Sequence, residues 1–213
     1  MMRFFNDWLN VLWNIYGWSI VYYIWIKKYY VEKEGLDEYL AKSIFKSKED
    51  DLMGINIQSF EEKDAEEIVK LIHRAMFETN ISDYSKEDLV KDAENITVSS
   101  IIERASWTHF YVFRDEETII ATGAIGPYWD SPTESSFFTI FVLPEYQGKG
   151  VGKLIINTLE DDEFYKRASR IEIPASITAV PFYQKFGYNF KDGVSIADEE
   201  GIVRMEKKLY DLN

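Results

Sequence analysis

The 213 residues carry 24 basic and 37 acidic side chains, a net charge of −13, and 46% of them are hydrophobic. That apolar share suits one domain with an appendage and excludes disordered, collagen-like and low-complexity chains. With no cysteine and only His73 and His109 as histidines, disulfides, thiolate nucleophiles and cysteine- or histidine-rich metal sites are excluded or disfavoured, and the acidic balance repels a phosphate backbone, so neither a metal nor a nucleic-acid partner is expected.

The charge is unevenly spread: residues 1–48 carry +2 and the remainder −15. From Trp8 to Ile26 there is no charged residue, and the run holds four of the six tryptophans. As a helix its length nearly matches the roughly 30 Å hydrocarbon core of a bilayer. Lys27 and Lys28 follow at once, which by the positive-inside rule leaves the rest of the chain cytoplasmic, attached to the inner face of the membrane. Two other readings stand beside this one. The segment can pack as a helix on its own domain or on a second copy of the chain, or it can form a strand, since VYYIWI is also good strand material. The flanks do not fit a cleaved signal peptide. A charged connector with a short amphipathic helix (Leu36, Leu40, Ile44) follows, so the expected division is 1–53 and 54–213.

Beyond Gly54 the hydrophobic period switches repeatedly between two and 3.6 residues. A strand over 55–60 is followed by a helix over 64–79, with Ile68, Leu71, Ile72, Ala75 and Met76 on one face. Ser85, with Asp88 three residues later, predicts an N-cap for a helix over 86–93, and a turn or helix follows near 98–104. Strands over 109–115 and 118–129 form a hairpin across the acidic turn Asp115–Glu117. The run over 135–143 is the most apolar and predicts a central strand buried on both faces, stopped by Pro144. A helix over 150–160, a strand over 170–175, a short helix over 179–186 ended by Gly187 and a strand over 202–210 complete a mixed α/β sheet.

The informative block lies where the central strand gives way to a helix: Gln147-Gly148-Lys149-Gly150-Val151-Gly152. Glycines at a helix N-terminus leave N–H groups exposed as a nest for a phosphate or pyrophosphate, and Lys149 and Lys153 add positive charge to an acidic body. A Walker A loop fails twice, with Gln147 in place of its first glycine and Leu154 in place of its Ser or Thr. A dinucleotide fingerprint fails at Lys153, where its third glycine belongs. A strand followed by [QR]-x-x-G-x-[GA] fits at every position, and this resembles the acetyl-coenzyme A pyrophosphate loop of the GNAT (Gcn5-related N-acetyltransferase) superfamily. Downstream, SITAVPFYQKFGY (176–188) is similar to that superfamily's second motif, a short helix around Ala179 carrying Tyr183 and then Gly187-Tyr188. It departs at Ser176, where an asparagine is frequent. The segment Asn80-Ile81-Ser82-Asp83-Tyr84-Ser85 resembles one shared by a bacterial subgroup. Together the likeness covers about residues 55–210.

The resemblance implies the GNAT acyl-CoA N-acyltransferase fold, acetyl-CoA as cofactor and direct transfer, within a ternary complex, to a primary amine of a small molecule or protein. It places the pyrophosphate on the main chain of Gln147, Gly148, Lys149, Gly150, Val151 and Gly152, near Lys153. It places the pantetheine arm along the open strand edge ending at Val142-Leu143, with Ser176 contributing, and an N–H near Val142 toward the thioester oxygen. Tyr183 falls on the tyrosine that protonates the leaving thiolate. For the base that takes the ammonium proton, Glu134 and Glu172 stand together, ahead of Asp83 or Tyr84. Glu134 shares a strand face with Ser136, one pleat from the family's usual glutamate, and burial of Glu172 is expected to raise its pKa. His109 starts a strand and could serve instead; His73 reads as structural. Tyr128 and Trp129 suit either an aromatic wall for the ammonium or ordinary hairpin packing. The body's acidity favours cationic amines at long range. The competing reading is a non-catalytic acyl-CoA-binding regulatory module, tethered or oligomerised through its N-terminal segment.

Overall fold

Strands with two-residue hydrophobic alternation dominate the chain after Gly54, and in the computed structural model, which describes residues 52, 54–79, 81, 84–199 and 201–209, they join into one seven-stranded sheet. The hydrophobic segment 8–26 and Asp83 lie outside the described residues. Among the described residues no helix is long and apolar enough to cross a membrane. The strands are β1 (Ile55–Ser59), β2 (His109–Asp115), β3 (Thr118–Pro127), β4 (Glu134–Val142), β5 (Arg170–Ser176), β6 (Asn189–Phe190) and β7 (Ile202–Lys208), in the sheet order β1-β2-β3-β4-β5-β7-β6. Every neighbouring pair is antiparallel except β4 and β5. The helices are α1 (Ala65–Thr79), α2 (Lys86–Asn95), α3 (Val98–Trp107), α4 (Val151–Asp161), α5 (Glu163–Lys166) and α6 (Val180–Gln184).

Local chemistry fixes the ends of these elements. The Ser85 hydroxyl accepts from the Asp88 amide at 3.1 Å and caps α2, while Thr97 and Ser100 close a reciprocal capping box on α3. The helices α1, α2 and α3 lie on one face of the sheet, tied together in part by His73, whose Nε2–H donates to the carbonyls of Ala93 and Ile96. That is the structural role its position in the first helix suggests. Helix α4 lies on the other face, close enough that a Cβ on Gly123 would meet Ile155 at 2.5 Å. Its Ile155, Ile156 and Leu159 are fully buried, each worth about 1.5–3 kcal/mol by transfer.

The expectation that the central strand is buried along both faces holds for only part of β4. Ser135, Ser136 and Phe137 are buried, but Thr139 to Val142 are half-exposed. Two features cause this. The parallel pairing of β4 with β5 covers only Glu134↔Arg170, Ser135↔Ile171 and Ser136↔Glu172, after which the strands diverge. Beyond that point β4 carries an extra residue against β3, with Thr139 at φ 51° and its carbonyl held by the Thr122 hydroxyl at 2.8 Å. Such a bulge bends the strand away from its neighbour. Helix α5 and the two-residue β6 are too short to show a period in the sequence.

Candidate active site

Where β4 and β5 part, they open a cleft of about 210 Å³ whose walls include Phe138, Ile140, Phe141, Pro174, Ser176, Ala179 and Tyr183, with Met76, Tyr84, Leu89 and Asp92 from the α1–α2 side. Past the end of β4 the chain turns through Pro144–Tyr146 into the N-terminus of α4. The helix begins at Val151 with Gly150 as N-cap at φ 97°, and no side chain caps it. The first-turn N–H groups of a helix have no partner within it, and the helix dipole adds partial positive charge there. Gly148 also lies at positive φ, and a Cβ built on it would meet nothing within 4 Å. The turn is therefore an open cradle of backbone amides, and its residues fit a diphosphate.

Side chains hold the cradle in place from α1. The Arg74 guanidinium grips Glu145 through two contacts of 3.1 Å, and Gln147 Nε2 donates to the Thr79 hydroxyl at 2.9 Å and to the Val142 carbonyl at 3.1 Å. Lys149 stacks its ammonium 5.1 Å from the centre of the Tyr146 ring. The strand edge below is divided. Leu143 is buried and its N–H donates to Ile120, so this amide faces β3 rather than the cleft, a correction to its expected role along the open edge. By strand alternation the Val142 N–H points the other way, toward the gap.

On the opposite wall, Ser176 ends β5, and Tyr183 sits in α6, 5% exposed and packed edge-on against Phe182 and Tyr188. Burial pushes the Tyr183 phenol well above its ordinary pKa, so it keeps its proton throughout the neutral range. The side chain lines the cleft.

The two carboxylates expected as bases sit elsewhere, just below the closed end of the gap. Arg170 grips Glu134 through two bonds of 2.8 and 3.1 Å, and reaches Glu172 at 2.8 Å and Glu206 at 3.3 Å. Lys191 adds a 2.7 Å bond to Glu172. Burial alone would raise the Glu172 carboxyl, as its sequence context suggests, but the bonds from Lys191 and Arg170 outweigh it and leave the group below the ordinary carboxylate value. The Arg170 bonds likewise lower Glu134. Both are held ionised and bonded, which leaves them poor proton acceptors. Among the described residues lining the cleft, the one carboxylate is Asp92, on α2. It was not singled out in the sequence because it reads there as the solvated face of an amphipathic helix.

The remaining aromatic and histidine candidates are also occupied. The Tyr128 ring lies 4.9 Å from the Arg170 guanidinium and 5.4 Å from the Lys191 ammonium, so the chain's own cations already lie on it. Trp129 stands 87% exposed on the hairpin. His109 Nδ1 bonds Asp162 at 2.8 Å on the α4 face, away from the α1–α2 side of the cleft. Tyr84 closes that side: its hydroxyl donates to the Gly201 carbonyl and accepts from the Ile177 amide, joining the α1–α2 connection to the ends of β5 and β7.

Comparison with known proteins places this geometry. A family model described as an acetyltransferase (GNAT) domain matches residues 57–209. Among solved structures, the PaiA N-acetyltransferase from Thermoplasma acidophilum, in complex with coenzyme A, superposes with a TM-score of 0.63 at 18% identity over 73% of this chain and 99% of that one. A GCN5-related N-acetyltransferase from Rhodopseudomonas palustris gives 0.58 at 20% identity, over 72% and 95%. An acetyltransferase from Streptococcus agalactiae gives 0.57 at 14%, over 73% and 99%. At these identities the likeness is one of fold. No curated protein matches the chain.

Proposed function

Because the chain belongs to the GNAT acetyltransferase family, we propose that it transfers an acetyl group from acetyl-CoA directly to a primary amine of a small molecule or protein, with both substrates bound together. The observation that carries this reading is an uncapped, glycine-lined helix N-terminus that follows in the chain from the strand walling a cleft lined by a protonated tyrosine. A relative solved with coenzyme A supports the cofactor assignment.

When bound, acetyl-CoA supplies an activated thioester whose sulfur leaves as a thiolate. The amides of residues 148–152 hold the diphosphate, and the divided edge of β4 receives the pantetheine arm, with Ser176 across the gap. The Val142 N–H, on the open side of its strand, is available to stabilise negative charge on the thioester oxygen. Tyr183 gives its proton to the departing sulfur. The incoming ammonium, with an ordinary pKa near 10.4, must first lose a proton. Asp92 takes it, directly or through water, in place of Glu134 and Glu172. Transfer is direct, so the absence of cysteine is no obstacle.

Acetyl-CoA turnover with a broad amine panel tests the reading. Tyr183→Phe is expected to lower kcat about 100-fold, the lower end of general-acid contributions, with little change in KM for acetyl-CoA. Asp92→Asn is expected to lower kcat/KM most at neutral pH and to recover toward high pH, where free amine is abundant. Binding without turnover would instead favour the acyl-CoA-binding regulator, a reading that the bonded state of Glu134 and Glu172 keeps open.

A further inference from the structure

Six arginines lie among the described residues, and five of them donate hydrogen bonds from their guanidinium groups. Arg74, Arg114, Arg170 and Arg204 each meet a carboxylate, and Arg167 meets the carbonyls of Ser131 and Pro132. Arg104 is the exception. Its guanidinium carbon rests 4.6 Å from the centre of the Phe138 ring and 5.0 Å from that of Trp107, and no carboxylate or carbonyl among the described residues accepts from it. Burial disfavours its charged form. Desolvation of this half-buried guanidinium is opposed by the neighbouring Glu103 charge and by the ring contacts.

Its position gives it a use. Arg104 lies in the last turn of α3, on the α1–α2 face of the sheet. Phe138, on which it stacks, lines the cleft and lies two residues past Ser136, the last residue of β4 paired with β5. Trp107 packs edge-on against the same ring at 5.1 Å. The donors of Arg104 therefore stand one aromatic ring away from the point where the two strands part. A planar guanidinium fork matches a carboxylate or phosphate, and does so best where water is thinned out.

We infer that Arg104 is the specificity determinant for the acceptor, and that this acceptor is an amine carrying an anionic group, a carboxylate or a phosphate, which Arg104 binds while the amine enters the gap beside Phe138. The inference deepens the acetyl-transfer reading and rests on it. Its chemistry differs from the long-range attraction of an acidic surface for cations. A zwitterionic amine satisfies both, drawn by its ammonium and oriented by its anion.

The test compares acceptors of matched length: β-alanine and γ-aminobutyrate, their methyl esters, phosphoethanolamine and unsubstituted diamines. Anionic acceptors are expected to be preferred by about 10- to 100-fold in kcat/KM over the matched esters, the strength of a charge-assisted hydrogen bond. The preferred arm distinguishes carboxylate from phosphate. Arg104→Met, which keeps the packing on Phe138, is expected to collapse that ratio toward one, and Arg104→Lys to restore part of it. An undiminished ratio in Arg104→Met, or a preference for esters or diamines in the unaltered protein, overturns the inference while leaving the transferase intact. Saturation-transfer NMR of γ-aminobutyrate with coenzyme A present gives a readout independent of turnover. Loss of its signal in Arg104→Met supports the inference even if no acceptor is acetylated, and an equal signal in both proteins overturns it. Failure of acetyl-CoA itself to bind by calorimetry removes the transferase reading separately.

Discussion

Gly150→Val is expected to lose acetyl-CoA binding by at least about 100-fold, a penalty of ~2.7 kcal/mol or more by affinity arithmetic. Two costs combine. Gly150 holds φ 97° as the N-cap of α4, a region in which a β-branched residue is strained. Its new side chain would also project at the mouth of the amide cradle, where the diphosphate must approach the backbone closely. Calorimetry with acetyl-CoA checks the affinity, and circular dichroism with thermal melting checks that the fold survives. Gly148→Ala makes the companion variant. It adds a single methyl at a φ of 73° with nothing within 4 Å, so only backbone strain acts and a smaller loss is expected. Equal affinity of Gly150→Val and the unaltered protein would remove the phosphate cradle from the proposal.

The second large effect falls on stability. Glu172→Leu is expected to destabilise the protein by about 2–4 kcal/mol, toward the lower end of what breaking a buried pair costs, because the cations left behind keep other partners or solvent. Arg170 retains Glu134 and Glu206, and the Lys191 side chain is 29% exposed. The pH dependence follows from the sign of the shift. The folded carboxyl titrates below its ordinary value of 4.5, so the stability it contributes is in place above that value. It is lost as pH falls through the lowered folded value. Denaturant melts should therefore separate the Glu172→Leu and unaltered proteins at pH 7 and bring them together in the acid range, below the lowered folded value. A variant as stable as the parent at pH 7 would show that the ionic cluster adds nothing net.

What the sequence made legible is what local chemistry dictates. The helical faces of α1 and α4 follow from apolar spacing, and the cradle from glycines at positions where only glycine serves. Tyr183 was singled out because 176–188 resembles the superfamily's second motif. The expected rise in the Glu172 pKa failed for a physical reason: burial and pairing shift a carboxyl in opposite directions, and only one of them was in view. Arg170, two residues earlier on the same strand face, was the available signal. Lys191, arriving from a distant turn, gave none. The sequence left Tyr128 open between an aromatic wall and hairpin packing, because the cations on its ring come from β5 and from the turn after β6. Nothing in the composition of β4 announces the bulge at Thr139, so an apolar run that forms a cleft wall looked like buried core.

Three parallel residue pairs are all the β-ladder that joins strands β1–β4 to strands β5–β7, and the Ser136 hydroxyl adds a 2.9 Å bond to the Glu172 carbonyl at the last of them. The sheet is in effect two wings pinned at one corner, with the Arg170 cluster as the rivet beside the pin. Any loosening of that rivet acts on the whole gap with the leverage of a pair of shears, so substitutions far from the reacting atoms can still change how widely the jaws stand apart.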